Sequence, residues 1–226
     1  RISVHMNSIL IPFLVFFSII KKHSLPFLTK MSLSSAQSSA NLDFFHLIGL
    51  LKKLKRTGWV NNGIQLPESV SDHMHRMSVM SLLVNIEGIN RERCTMMAIV
   101  HDLAEALAGD ITPYDGISQQ EKYEKEFQGM EKMLDTLKKS SGQKQLIFDL
   151  WMEYEKGETL EAIFVKDLDK FEMILQADEY ERDQGIDLEN FFESCEGYFK
   201  TEQVQSWDKE LRKRRAERKA KINQNL

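Results

Sequence analysis

Cysteine, proline and alternating hydrophobicity are all scarce in these 226 residues. The two cysteines, Cys94 and Cys195, form no C-x-x-C pair. That excludes a disulfide scaffold or a cysteine-rich zinc cluster and fits buried thiols in a reducing compartment. Only four prolines occur and no stretch keeps a period of two, which argues against a sandwich or barrel of short strands. Aromatic residues are missing from the most basic stretch, KELRKRRAERKAK at 209–221, so it offers no stacking platform for a nucleic-acid strand. Its eight Lys/Arg against two Glu leave the rest of the chain near −10, since the whole carries −4. An acidic body with a basic end disfavours DNA or RNA as a partner, and the end itself reads as a solvated helix or frayed tail.

The one long apolar run, ILIPFLVFFSII from Ile9 to Ile20, is shorter than the roughly 20 residues of a membrane span. Lys21, Lys22 and His23 follow it, then a serine-rich stretch from Met31. Two readings fit: an organelle-targeting leader, or translated sequence upstream of a start at Met31. We therefore expect residues 1–40 to stand apart from the fold, a single domain over 41–205, and a basic helix or tail over 206–226. The expected location is the cytoplasm, or an organelle if the leader is real.

Helical periodicity is what the chain has in abundance. Leu42, Phe45, Ile48 and Leu51 recur at steps of three; Tyr123, Phe127, Met130, Leu134 and Leu137 recur at three and four. Leu160, Phe164, Leu168, Phe171 and Leu175 do the same. With 42% apolar and 28% charged residues, the composition is that of a globular rather than a disordered chain, and the pattern predicts an all-α fold. Two segments, 72–87 and 92–107, are apolar around most of a helix and are expected to be central. Each carries histidine.

The second contains HDLAEALAGD, residues 101–110. As a continuous helix it places His101 and Glu105 one turn apart with Asp102 beside them. Buried carboxylates of like charge need a proton, a basic partner or a metal ion, and no Lys or Arg lies between Arg93 and Lys122. A divalent cation is one local solution; a core histidine beside two surface acids is the other. Periodicity does not choose between His73 and His75 on the first segment. Nor does it choose between Asp167 and Asp169 on a later one, where surface exposure is a further reading.

Four separated stretches, in order, carry a resemblance: RTGWV, PESVSDHMHRMSVM, VHDLAEALAGDITP and FVKDLDKFEMILQADEYE. They resemble the H…HD…D signature of the HD-domain phosphohydrolase superfamily, and within it the HD-domain-containing protein 2 family of 5′-deoxynucleotidases. The likeness runs from about residue 41 to about residue 202. It implies an all-α HD-domain helical bundle with a metal site between central helices. It selects His73 over His75 and Asp169 over Asp167, giving His73, His101, Asp102 and Asp169 as metal ligands. Glu105 becomes the carboxylate that handles the proton or orients water, and Asp110 the second catalytic acid. A second ion on Glu105, Asp110 and the carbonyl of Ile111 is a further implication. Asp110, Ile111, Thr112 and Pro113 form the loop that meets the nucleotide. Trp59 is either the aromatic wall beside the sugar or a core residue.

Bacterial relatives place an arginine directly before that tryptophan; here Gly58 stands there, and Arg56 becomes the candidate for the phosphate. The activity implied is hydrolysis of deoxynucleoside 5′-monophosphates with Mn²⁺, Co²⁺ or Mg²⁺, by a homodimer with no membrane span and no nucleic-acid polymer as partner. Alternatives are another HD-type hydrolase acting on a triphosphate, cyclic nucleotide or guanosine alarmone, and a non-catalytic nucleotide- or metal-binding scaffold.

Overall fold

A computed structural model of the chain describes residues 34–137 and 141–224, so of the segment 1–40 expected to stand apart, residues 1–33 lie outside the described residues and the rest opens the first helix. Among the described residues ten α-helices follow one another and no strand occurs. They are α1 (Ser35–Ile48), α2 (Thr57–Asn61), α3 (Val70–Ser81), α4 (Arg91–Val100) and α5 (Glu105–Ala108). Then come α6 (Gln119–Asp135), α7 (Ser141–Lys156), α8 (Leu160–Gln184), α9 (Glu189–Glu193) and α10 (Glu202–Gln224). The helix starts are written locally. Ser34, Ser69, Asn90, Ser118 and Thr159 each accept a backbone N–H of the first turn they precede. That satisfies donors a helix start otherwise leaves bare. At Ser69 the Asp72 carboxylate reciprocates, closing a capping box one residue before His73.

The long helix α8 is the axis of the bundle, packed by α3, α4, α7, α9 and α10, while α5 lies on α6. Met77, Met97, Ala98, Val165, Leu168 and Ile174 are fully buried where these helices meet. No helix among the described residues is long and apolar enough to cross a membrane.

Three features differ from the reading of the sequence. The two apolar segments are shorter helices than their patterns suggest, because α3 stops at Ser81 and α4 at Val100. Their outward faces remain apolar: Val79, Leu82, Leu83, Met96 and Ile99 are each more than a third exposed. One face of each helix is enough to build the centre. Secondly, residues 101–104 wind more tightly than α4. Bonds from Leu103 N to Val100 O, Glu105 N to Asp102 O and Ala106 N to Leu103 O span three residues, not four. His101, Asp102 and Glu105 therefore leave the 100° step of a continuous α-helix. Thirdly, Asp167 is not on the surface. It is 1% exposed, and its carboxylate accepts from Lys200 N, Thr201 N and Thr201 Oγ1, fixing the start of α10.

Gly129 of α6 explains why the tight turn can be buried. A Cβ there would lie 2.9 Å from the carbonyl oxygen of Ala104, so only glycine admits α6 this close to the segment carrying His101 and Glu105.

Candidate metal centre and active-site cleft

His73 comes from the first turn of α3, and His101 and Asp102 from the turn that ends α4. Glu105 opens α5, and Asp169 sits midway along α8. His101, Asp102, Glu105 and Asp169 line a cleft of about 570 Å³, a size suited to a small ligand, and His73 is buried behind them. Ligand atoms of His73, His101 and Asp102 all lie within 4.8 Å of one another. Asp102 Oδ2 is 3.1 Å from His101 Nε2 and 3.7 Å from His73 Nε2. Asp169 stands outside that common group but brings Oδ1 to 3.2 Å from His73 Nε2. His75, by contrast, is exposed.

Both imidazoles are turned the same way. His101 Nδ1 lies 2.9 Å from the carbonyl oxygen of Ala98, which only accepts, so Nδ1 donates and Nε2 keeps its lone pair. His73 Nδ1 lies 2.5 Å from Glu172 Oε2. The two Nε2 atoms are buried without a hydrogen-bond partner, as is Glu105 Oε2. Buried polar atoms without a well-directed hydrogen bond, here with carboxylate oxygens of Asp102 and Asp169 within 3.2 Å of the two imidazoles, are costly in a folded core and mark the place where a cation fits.

The electrostatics point the same way. Burial opposes charge on Asp102, yet His101 and Arg56 hold its carboxyl well below the usual carboxylate range. Asp169 is likewise pulled down against burial, by Lys170 and His73. Glu105 moves in the opposite direction: burial first, then the Asp102 and Asp110 charges, push its pKa up. Burial and Arg56 work against a charged His73, but Glu172 and Asp169 outweigh them and raise it to about 9.

Arg56 immediately precedes α2 and reaches into this cluster. Its guanidinium lies 3.4 Å from Asp102, 3.8 Å from Asp169 and 3.9 Å from Asp110. Gly109, at φ +84°, turns the chain out of α5 into Asp110. Asp110 Oδ2 then accepts from Thr57 N at 2.6 Å, and its carbonyl accepts from Thr57 Oγ1 at 2.7 Å. Asp110 thus anchors the residue next to Arg56. The carbonyl of Ile111 takes the Lys122 ammonium at 3.0 Å. Two of the three groups named for a second ion are therefore already engaged. Thr112 and Pro113 line the cleft, although the Thr112 hydroxyl is held by Asp115 and Tyr114. Trp59 is 2% exposed, packed against Phe191 and Tyr180, with its indole N–H on Glu68. It lines the cleft as part of the core, so both readings of this residue meet in one position.

Several residues of the site were not picked out from the sequence. Tyr154 of α7 donates to Asp169 Oδ2 at 3.1 Å and packs its ring, tilted by 55°, against His101. Lys122 comes from α6. Glu172 and Arg76 carried a signal, since each lies three residues beyond a proposed ligand on the same helix, where side chains are neighbours.

The HD-domain family profile matches residues 48–209. The chain is 49% identical over 171 residues to the 5′-deoxynucleotidase HDDC2 of Dictyostelium discoideum, covering 70% of this chain and 89% of the relative. It is 41% identical over 192 residues to the protein of the same name from Homo sapiens, covering 82% and 93%. Among solved structures it resembles the HD domain-containing protein YGK1, with a TM-score of 0.59 and 30% identity over 78% of this chain and 85% of that one. With the signature histidines and aspartates gathered at one cleft of an all-helical bundle, the chain belongs to the HD-domain family.

Proposed function

We propose that this chain is a metal-dependent 5′-deoxynucleotidase, hydrolysing deoxynucleoside 5′-monophosphates to deoxynucleosides and phosphate. One observation carries the reading: two buried imidazole nitrogens without a hydrogen bond, His73 Nε2 and His101 Nε2, face Asp102 and Asp169 beside a cleft that Arg56 enters. Relatives named for this activity, at 49% and 41% identity, support the substrate class.

His73, His101, Asp102 and Asp169 would hold the ion, and a set of imidazoles and carboxylates suits Mn²⁺, Co²⁺ or Mg²⁺. When bound, a divalent ion supplies Lewis acidity, polarising phosphate and water and offsetting charge. The chain's own groups do the rest. Arg56 offers a planar pair of donors to phosphate oxygens, in a cleft whose carboxylates would otherwise repel a dianion. Asp110 holds the backbone at Thr57 and so aims Arg56. Glu105 keeps a proton more readily than an ordinary carboxyl and faces the cleft. It orients the attacking water or passes a proton to the leaving 5′-oxygen as the P–O bond breaks. The packed Trp59–Phe191 wall gives tight shape where a ribose 2′-hydroxyl would have to fit; shape of this kind discriminates modestly.

The outward apolar residues Val79, Leu82, Leu83, Met96 and Ile99 support a homodimer, which sedimentation velocity tests. Two buried, unpaired cysteines support the cytoplasm.

The deciding experiment is phosphate release from deoxy- and ribonucleoside monophosphates, triphosphates and cyclic nucleotides, each with Mn²⁺, Co²⁺ or Mg²⁺. Release confined to deoxynucleoside monophosphates is expected. Binding without release under every metal would replace the enzyme reading with the scaffold.

A further inference from the structure

We propose that Glu172 is a positioning residue for the metal centre, acting through His73 and held in turn by Arg76; this role rests on the metal-site reading above. His73 is completely buried, and its Nδ1 approaches Glu172 Oε2 to 2.5 Å. Glu172 is itself completely buried, with its other oxygen accepting from Arg76 Nε at 2.7 Å. Arg76 is clamped beyond by Gln176 at 2.6 Å and Glu179 at 2.7 Å. The arrangement is reciprocal. Helix α3 supplies His73 and, three residues on, Arg76; helix α8 supplies Asp169 and, three residues on, Glu172. Each helix thus gives one group to the centre and one to the support behind it.

A second metal site made of Glu68, His73 and Glu172 is the competing reading, because their ligand atoms also cluster. Their partners argue against it. Both Glu172 oxygens are taken, by His73 and Arg76, and Glu68 Oε1 accepts the Trp59 indole N–H at 2.9 Å. A guanidinium already supplies the positive charge.

The chemical consequence is a fixed tautomer. A carboxylate facing Nδ1 keeps a proton there, so that in the neutral ring, the form that binds a metal, the Nε2 lone pair is the one aimed at Asp102 and Asp169. His101 obtains the same orientation from its own backbone, at Ala98. Substitution of Glu172 therefore loosens one imidazole and leaves the other in place.

The test uses the full-length chain with Mn²⁺ as the probe. Glu172→Leu is expected to weaken Mn²⁺ binding about 10- to 100-fold in calorimetric titration. At saturating Mn²⁺ its KM for substrate stays at the wild-type value. Glu172→Gln keeps an acceptor for the ring N–H and is expected to recover most of the affinity. Nitrogen NMR of metal-free wild type, taken at a pH where the His73 ring is neutral, should show its proton on Nδ1, an observation that needs no variant to fold. Wild-type Mn²⁺ affinity in Glu172→Leu, or a wild-type ring with its proton on Nε2, overturns the role of Glu172. Wild-type affinity in Asp169→Asn would instead overturn the metal centre, and this role with it.

Discussion

Helix α8 carries two charged clusters that solve the same problem in opposite ways. Near its middle, Asp169 joins Asp102 and Asp110 around one guanidinium, Arg56, with Glu105 nearby and two imidazole nitrogens without a hydrogen bond. Nearer its end, Glu181 meets Arg215 at 2.6 and 2.7 Å, Arg215 also reaches Glu189, and Arg218 lies 2.7 Å from Asp178. The Arg215 guanidinium additionally lies 3.8 Å over the ring of Phe192. The second cluster is a clasp with cations in supply, holding α10 on α8 and α9. The first leaves acids in excess and lone pairs open, which a purely structural cluster has no reason to do. Incomplete local pairing is what separates a site for chemistry from a site for cohesion.

Breaking the two clusters should therefore separate activity from stability. The largest effect is expected from Asp169→Asn, which should abolish phosphate release and Mn²⁺ binding together; turnover near the wild-type rate would dissolve the distinction. Glu105→Gln should lower kcat by about 10²–10⁴ while calorimetry still detects the first metal. Arg56→Ala should cost about 10- to 100-fold in kcat/KM, the worth of a hydrogen bond to a charged group. Kinetics unchanged from wild type would remove Arg56 from the phosphate. On the clasp side, Arg215→Ala removes the two short guanidinium bonds to Glu181, leaving it Leu188 N, Arg218 and Lys219, and should cost about 2–3 kcal/mol, or roughly 5–10 °C in Tm. Its Mn²⁺ affinity should not move.

Acid provides the gentlest contrast. The side-chain bond to Arg215 and the neighbouring Lys219 hold Glu189 at about 2, against 4.5 normally. A carboxyl lowered on folding contributes stability above its ordinary value and loses it as pH falls through the folded one. Protection factors of the α10 amides, which remove the intrinsic pH dependence of exchange, should accordingly fall between pH 4.5 and about 2. Glu105 has the reverse sign: its carboxyl is raised on folding, so its cost to stability grows as pH rises above the ordinary value.

The basic stretch at 209–221 shows how a composition can mislead. Counted alone it looks like a solvated tail, yet Arg215 is 7% exposed and spent on acids of α8 and α9. Residues 209–221 record eight cations but not which acids they meet, because Glu181 lies 34 residues away. Asp167 teaches the same lesson. Nothing in its spacing distinguishes it from Asp169, and only the return of the chain at Lys200 and Thr201 shows that one caps α10 while the other faces the cleft.

By itself the sequence determined the all-helical fold, because a period of three to four apolar residues and Ser, Thr or Asn caps are local facts. Its motifs also named Arg56, His101, Asp102, Glu105 and Asp169, which line one cleft in the fold, and His73, which touches Asp102 and Asp169 from behind it. Tertiary structure alone decided the tight turn after α4, the burial of Asp167 and Arg215, and the pairing of His73 with Glu172 across 99 residues. Periodicity tells which face of a helix is buried. Which two faces meet, and at what register, is settled only when the helices pack.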